Sequence, residues 1–203
     1  EGADTLNALS GIVDTSRQGE VAFKMVLTAV GDCAYRRPDG VIVQDLGVAA
    51  MCRRHFPELP LHASTQLVAH NLEGVLALGE LGFARVVLAR ELSFDEISRI
   101  VARCGGIEIE CFIHGALCYS VSGLCLFSAM ENRRSGNRGR CAQPCRLGFS
   151  CDGEAYALSL KDMSYLGHLQ ELADAGVTSL KIEGRMKRPE YVAAAVHACH
   201  EAK

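Results

Sequence analysis

No uninterrupted apolar run in this chain of 203 residues approaches the ~18 needed to span a bilayer, and no secretory leader is visible. No membrane partner is expected on this ground, and nothing points to export. There is no strong excess of either charge. The net charge of −3 supplies no global basic field, so any nucleic-acid contact must come from a local cluster. With 49% hydrophobic and 22% charged residues, the composition is that of an ordinary globular domain. Ten cysteines without a leader point to a reducing, cytoplasmic compartment, where cysteine serves metal binding or catalysis rather than disulfides. The chain opens at Glu1 and not at methionine, and a removed leader or an absent N-terminal portion would look the same.

What is present centres on residues 110–149. Cys118, Cys125, Cys141 and Cys145 stand there among Gly123, Gly136 and Gly139, with Arg133, Arg134, Arg138, Arg140 and Arg146 beside them. Thiolates that converge repel one another, so a metal or a covalent bond must hold them. Glycines let backbone N–H groups approach sulfur or another anion. Guanidinium groups offset thiolate charge or grip an anionic ligand through forked hydrogen bonds. The four cysteines suit an iron–sulfur cluster, which tolerates unequal spacing. They also suit structural zinc, although the six-residue gap between Cys118 and Cys125 exceeds zinc's usual spacing. Unliganded cysteine is the plain alternative. It fits Cys33, Cys52, Cys104 and Cys199 in helical stretches and Cys111 on a strand, while Cys151 is a spare ligand.

Around this stretch a pattern repeats. Short apolar runs at Val41–Val43, Leu59–Ala63, Ala84–Ala89, Ile107–Ile113 and Thr178–Ile182 read as buried strands. Helical stretches follow around Val48–His55, from an Asn71 cap to Leu81, and from a Ser93-Phe94-Asp95-Glu96 capping box to Gly105. Ser164–Ala175 reads as one amphipathic helix, and Pro189 opens a last one. Residues 1–39 form a separate, less readable segment with helix-like spacing over Val21–Tyr35 and a turn at Pro38-Asp39-Gly40. Residues 40–203 form the main unit, with a cysteine-rich loop at 115–151.

Alternating strand and helix units predict a parallel α/β sheet with its active site at the C-terminal strand ends. Those ends carry Gln44, Asp45, His62, Gln66, Arg90, His114, Lys181, Glu183 and Arg185. Five strands do not close an eight-stranded barrel, since three further units of ~22 residues would add roughly 65 residues. The expected fold is therefore a TIM-like parallel (β/α) barrel in which only the later strands are present. His114, four residues before Cys118, could draw off a thiol proton and make a nucleophile, although no orienting third group is evident. The charged side chains of Lys181, Glu183 and Arg185 face either a polar ligand or one another.

The stretches VIVQDLG, LHASTQ, RVVLARELS, FIHGALCYSVSGLCLFS, RSGNRGRCAQPCR, LSLKDMSYL and SLKIEGRMKRPEYV resemble the collagenase-like peptidase family, U32, from residue 40 to about 195. The resemblance implies strands four to eight of the family's barrel. It also implies oxygen-independent hydroxylation of a base in ribosomal or transfer RNA. By resemblance a 4Fe-4S cluster falls on Cys118, Cys125, Cys141 and Cys145, with zinc as the alternative metal and prephenate as a possible co-substrate. Arg133, Arg134, Arg138 and Arg140 would hold phosphates or a small carboxylate, with Gln66, Arg90 and Lys181 also binding substrate. His62, His114, Glu183 and Arg185 would orient substrate or move protons. The family name keeps a peptidase open, and a non-catalytic subunit housing a cluster or zinc is a third reading. The family's N-terminal strands have no counterpart here, and residues 1–39 match only loosely.

Overall fold

The computed structural model describes residues 40–122, 124–136, 139–184 and 187–202. The expected helix over Val21–Tyr35 and Cys33 lie outside these residues. In chain order the strands are β1 (Val41–Val43), β2 (Leu61–Ala63), β3 (Phe83–Val87), β4 (Glu108–Gly115), the short hairpin β5 (Ser150–Cys151) and β6 (Glu154–Ala155), β7 (Met163–Ser164) and β8 (Ser179–Ile182). β1, β2, β3, β4 and β8 lie side by side in sequence order and all run parallel. These are the five strands read from the apolar runs, each within two residues at either end.

The turns between units have legible causes. Helix α1 (Leu46–His55) starts where the Asp45 carboxylate accepts from the Val48 N–H at 2.8 Å. Helix α2 (Leu72–Glu80) is capped by Asn71, and α3 (Phe94–Val101) carries the full Ser93/Glu96 capping box. Each cap satisfies helix-end N–H groups that would otherwise lack partners. Helix α4 (Phe127–Asn132) lies within the cysteine-rich insert, α5 (Leu169–Asp174) precedes β8, and α6 (Pro189–Glu201) begins with proline at its first turn.

One stretch departs from its reading. Ser164–Ala175 is not a single helix: β7 pairs antiparallel with His114–Gly115, a 3-10 turn follows at Leu166–His168, and only Leu169–Asp174 is α-helical. β4 outruns β3, leaving backbone groups at its end unpaired. β7 takes that vacant edge, while Tyr165 N–H donates to the Ile113 carbonyl at 2.8 Å.

The two faces of the sheet differ. Val41, Val43, Leu61, Ala63, Val86, Ile109, Cys111 and Ile113 pack with Val48, Cys52, Val75, Leu78, Ile97, Ile100 and Leu172 of the helices in one core. Alternation along each strand then sends Glu108, Glu110, Phe112 and His114 to the opposite face. That face is layered. A polar layer of His62, Arg85, Glu110, Ser179 and Lys181 lies beneath an apolar one of Val87, Phe112 and Met163. Above both is the rim, where the strands end. Among the described residues β1 and β8 do not pair, so the sheet is open, and no helix is long and apolar enough to cross a membrane.

Candidate active site at the C-terminal rim of the sheet

Three strand ends meet at the rim. Beyond β3, the Arg90 guanidinium lies 3.9 Å from the centre of the Phe112 ring and 3.6 Å from the Glu183 carboxylate beyond β8. Its side chain is only 10% exposed, and its Nε has no hydrogen-bond partner among the described residues. β4 ends at Gly115, with φ +119°, where a Cβ would stand 2.5 Å from the Glu183 carbonyl oxygen. Only glycine lets the two strand ends approach this closely. The Glu183 N–H donates to the His114 carbonyl at 2.8 Å, extending the ladder to the rim. The His114 ring is half-buried, and its Nδ1 lies 3.0 Å from the Tyr191 hydroxyl of α6.

The insert is fastened beside this rim. Glu91 accepts from the Ser122 N–H and hydroxyl, both at 2.9 Å, and the Ser122 hydroxyl lies 3.2 Å from the Arg90 N–H. Ser128, only 2% exposed, donates to the Arg134 carbonyl at 2.6 Å and accepts from the Ala142 N–H at 2.8 Å. Arg146 donates to the carbonyls of Leu117 and Leu160, tying the 3-10 turn Pro144–Arg146 to the chain before Cys118. The Gln143 N–H points at the Cys141 sulfur, 3.3 Å away.

These fastenings bring Cys118 under the influence of Cys141, Cys145, Arg90 and Glu183. Burial pushes the Cys118 thiol above its ordinary value; Arg90 opposes this, while Cys141, Cys145 and Glu183 reinforce it. Cys125 is exposed just before α4. Among the described residues no three His, Cys, Asp or Glu side chains stand close enough together to ligate a metal. Cys52, Cys104 and Cys111 are buried free thiols, as their apolar surroundings suggested. Burial pushes Cys52 up to about 11, and burial with Glu110 pushes Cys111 up to about 12, so both stay neutral.

A pocket of about 260 Å3 opens at the rim between Arg90, Leu117, Cys118, Tyr119, Ser120 and Leu160. A larger one of about 510 Å3 lies at the opposite, N-terminal end of β2, β3 and β4, between Pro60, His62, Phe83, Arg85, Gly106 and Glu108, away from the cysteines. The smaller pocket is the one with reactive chemistry beside it.

Of the residues read as functional, Arg90, His114, Glu183 and Cys118 come together at the rim. His62 and Lys181 do not join them. His62 lies within β2, opposite Arg85 of β3, and Lys181 leans back from β8 to bond Glu110 at 2.8 Å. Gln66 sits in the 3-10 turn after β2. Arg133 and Arg140 are exposed on the insert, and the Arg134 Nε donates to the Arg140 carbonyl at 2.9 Å. Arg138 and Arg185 lie outside the described residues. The reading overlooked Tyr191, Phe112, Glu91, Ser122 and Ser128. Tyr191 had one available signal, its place in the first turn after Pro189, but its partner His114 lies 77 residues away.

A mainly parallel α/β sheet with a cysteine-bearing insert at its C-terminal rim defines the class of protein. The model of Peptidase family U32 matches residues 20–203, and the chain belongs to that family. It is 43% identical over 162 residues to the 23S rRNA 5-hydroxycytidine C2501 synthase of Escherichia coli K12, covering 76% of this chain and 24% of that protein. It is 39% identical over 184 residues to the tRNA hydroxylation protein P1 of Bacillus subtilis 168, covering 84% and 43%. It is 36% identical over 187 residues to a protein of Porphyromonas gingivalis W83 named collagenase, covering 82% and 45%. The chain thus spans between a quarter and a half of the length of these relatives.

Proposed function

We propose that this chain forms part of the catalytic barrel of an oxygen-independent RNA base hydroxylase of the cytoplasm. The observation that carries the reading is the rim pocket at the C-terminal end of the sheet, where Cys118 lines the same cavity as Arg90, whose guanidinium lies 3.6 Å from the Glu183 carboxylate. The hydroxylase names of two relatives support the reaction class and leave open whether ribosomal or transfer RNA is the substrate. The barrel reading is supported by sequential parallel strands whose helices pack into one core on one face. A doubly wound sheet would cover both faces.

Cys118, Cys125, Cys141 and Cys145 would hold a 4Fe-4S cluster. The donor set fits in its chemistry: four thiols on one insert, a backbone N–H directed at one sulfur and a guanidinium beside another. Such a cluster supplies electron transfer at the base; zinc on the same thiols would not. Arg90, steadied against Phe112, gives a cationic wall to the rim pocket. Glu183 balances that charge, and His114 offers a ring nitrogen to a substrate oxygen. Arg133, Arg134, Arg138 and Arg140 would hold phosphates or a small carboxylate co-substrate such as prephenate.

The peptidase reading rests on the relative named collagenase. It is the weaker one, because the His114 Nδ1 is engaged by Tyr191. A nucleophilic cysteine needs a base free to serve it.

The test is nucleoside mass spectrometry of ribosomal and transfer RNA from a strain lacking the full-length protein. One hydroxylated pyrimidine should vanish, return with the wild-type protein and stay absent with Cys118→Ala. An unchanged nucleoside profile, with peptide cleavage by the purified protein that survives chelation, would put the peptidase in its place.

A further inference from the structure

We infer that Tyr191 is a positioning residue that fixes the tautomer of His114, leaving Nε2–H as a hydrogen-bond donor to a carbonyl or carboxylate oxygen of the substrate. The inference deepens the proposed function and rests on it for the presence of a substrate at the rim. The geometric part stands independently. The Tyr191 hydroxyl lies 3.0 Å from the His114 Nδ1, and no other side chain hydrogen-bonds that ring among the described residues. Two tautomers could satisfy this contact. In one, the phenol donates to an unprotonated Nδ1; in the other, Nδ1–H donates to the phenol oxygen. The first is favoured, because a phenol is a stronger acid than a neutral imidazole N–H. The sp² ring nitrogen is also a stronger acceptor than a phenol oxygen conjugated to its ring. The ring proton then sits on Nε2.

Tyr191 is held for this task. Its helix starts at Pro189, and the Lys187 ammonium lies 5.0 Å over its ring, anchored to Asp162 at 3.2 Å. The rings of His114 and Tyr191 lie 5.8 Å apart and tilted by 53°, so neither stacks flat on the other. The His114 backbone is fixed in the ladder by the Glu183 N–H. With Nδ1 engaged, the half-buried ring has one nitrogen left to use, and that nitrogen carries a proton. A general base would need the reverse arrangement.

The experiment has two arms on the full-length protein. In the first, 15N-imidazole labelling and NMR read the His114 tautomer directly, with Tyr191→Phe as the comparison. We expect an unprotonated Nδ1 and a protonated Nε2 in the wild type. In Tyr191→Phe, at an unchanged melting temperature, the two tautomers should mix. In the second arm, hydroxylation is compared for His114→Gln and His114→Ala. A Gln side-chain amide can present an N–H near the Nε2 position but cannot act as a base. We expect His114→Gln to keep activity within about tenfold of wild type, and His114→Ala to lose about 100-fold or more, the usual loss for one catalytic hydrogen-bond donor. A protonated Nδ1 in the wild type, a tautomer unmoved by Tyr191→Phe, or a Gln variant as inactive as Ala would each overturn the inference. If the wild-type protein hydroxylates no RNA, the proposed function fails, and the first arm still decides the role of Tyr191.

Discussion

Glu110 and Lys181 are bonded at 2.8 Å across two adjacent parallel strands, on the face of the sheet away from the main helix-packed core. Ser179 donates to the same carboxylate at 2.8 Å, and Arg85 lies 3.5 Å from it. The Glu110 side chain is 8% exposed and that of Lys181 27%, so the acid depends on its partners more than the amine does. Burial alone would push the Glu110 carboxyl up. Lys181, Ser179 and Arg85 outweigh it, and the group ends below its ordinary 4.5. Lys181→Met strands a buried carboxylate and should cost about 2 kcal/mol, less than a fully buried pair because the lysine is partly solvated. Urea unfolding of wild type and variant measures the loss. The folded-state value is depressed, so this contribution is full above 4.5 and disappears as pH falls through the folded value. Lys181→Met should flatten the stability profile in that acid range.

His62 gives a second, earlier acid step. Burial lowers its ring below 6.5, Arg85 and Lys181 lower it further, and Glu110 and Glu108 oppose them. The folded ring stays neutral while the unfolded ring takes up a proton near 6.5. Stability from a neutral His62 is therefore full above 6.5 and declines as pH falls toward the folded value. His62→Gln should remove the part of the decline that begins below 6.5 and leave the carboxylate part in place. If thermal unfolding gives the same pH profile for both proteins, His62 is not the group responsible.

The strands were legible because their apolar runs are short and bounded by turn residues, and because Asn71 and Ser93 with Glu96 announce helix starts. Local spacing could not assign depth. His62 and Lys181 look like strand-end residues, yet cross-strand register sets them opposite Arg85 and Phe112, below the rim. The failure at Ser164–Ala175 has the same origin. Its amphipathic pattern is genuine, but β7 pairs with backbone that only the longer β4 leaves open. The first turn after Pro189 places Tyr191 on a helix, but its contact with His114, 77 residues away, is encoded by no periodicity. The cysteine spacing drew attention to the insert, while Ser122 and Ser128, whose hydrogen bonds fasten it, look like ordinary loop serines.

The proposed cluster is tested by metal content. Anaerobically prepared full-length protein should be brown and carry iron and sulfide. Single Ala replacements of Cys118, Cys125, Cys141 or Cys145 should remove most of both, since a cluster missing one thiolate is open to solvent and oxidation. Cys52→Ala and Cys199→Ala should retain them. Ser128→Ala strands the Ala142 N–H and the Arg134 carbonyl at a cost of about 1–3 kcal/mol, and it loosens the loop that carries Cys141. Its metal content should fall although no ligand has changed. Iron, sulfide and zinc analysis checks all of this. Colourless protein with stoichiometric zinc would remove the electron-transfer role from the site.

The insert's arginines separate an RNA ligand from a peptide. Arg133 and Arg140 are exposed, and no ion pair holds their side chains among the described residues. Their charge is therefore free to meet phosphate. Arg134 differs, since its Nε bonds the Arg140 carbonyl, and Arg134→Ala would disturb the loop as well as remove a charge. If the ligand is RNA, each phosphate contact releases a counterion, adding about 0.7 to 0.9 to the slope of log affinity against log salt. Arg133→Ala and Arg140→Ala should each flatten the slope by about that amount while leaving the melting temperature unchanged. Arg146, bonded to the Leu117 and Leu160 carbonyls, is the contrasting case. Arg146→Ala should lower stability and weaken binding through the fold rather than through salt-sensitive contacts. The measurement is RNA binding by full-length protein across a salt series. A steep slope that flattens at Arg133 and Arg140 supports an RNA ligand, because a neutral peptide releases few counterions. A slope near zero in the wild type removes RNA as the ligand of this insert and leaves a peptide or a small carboxylate.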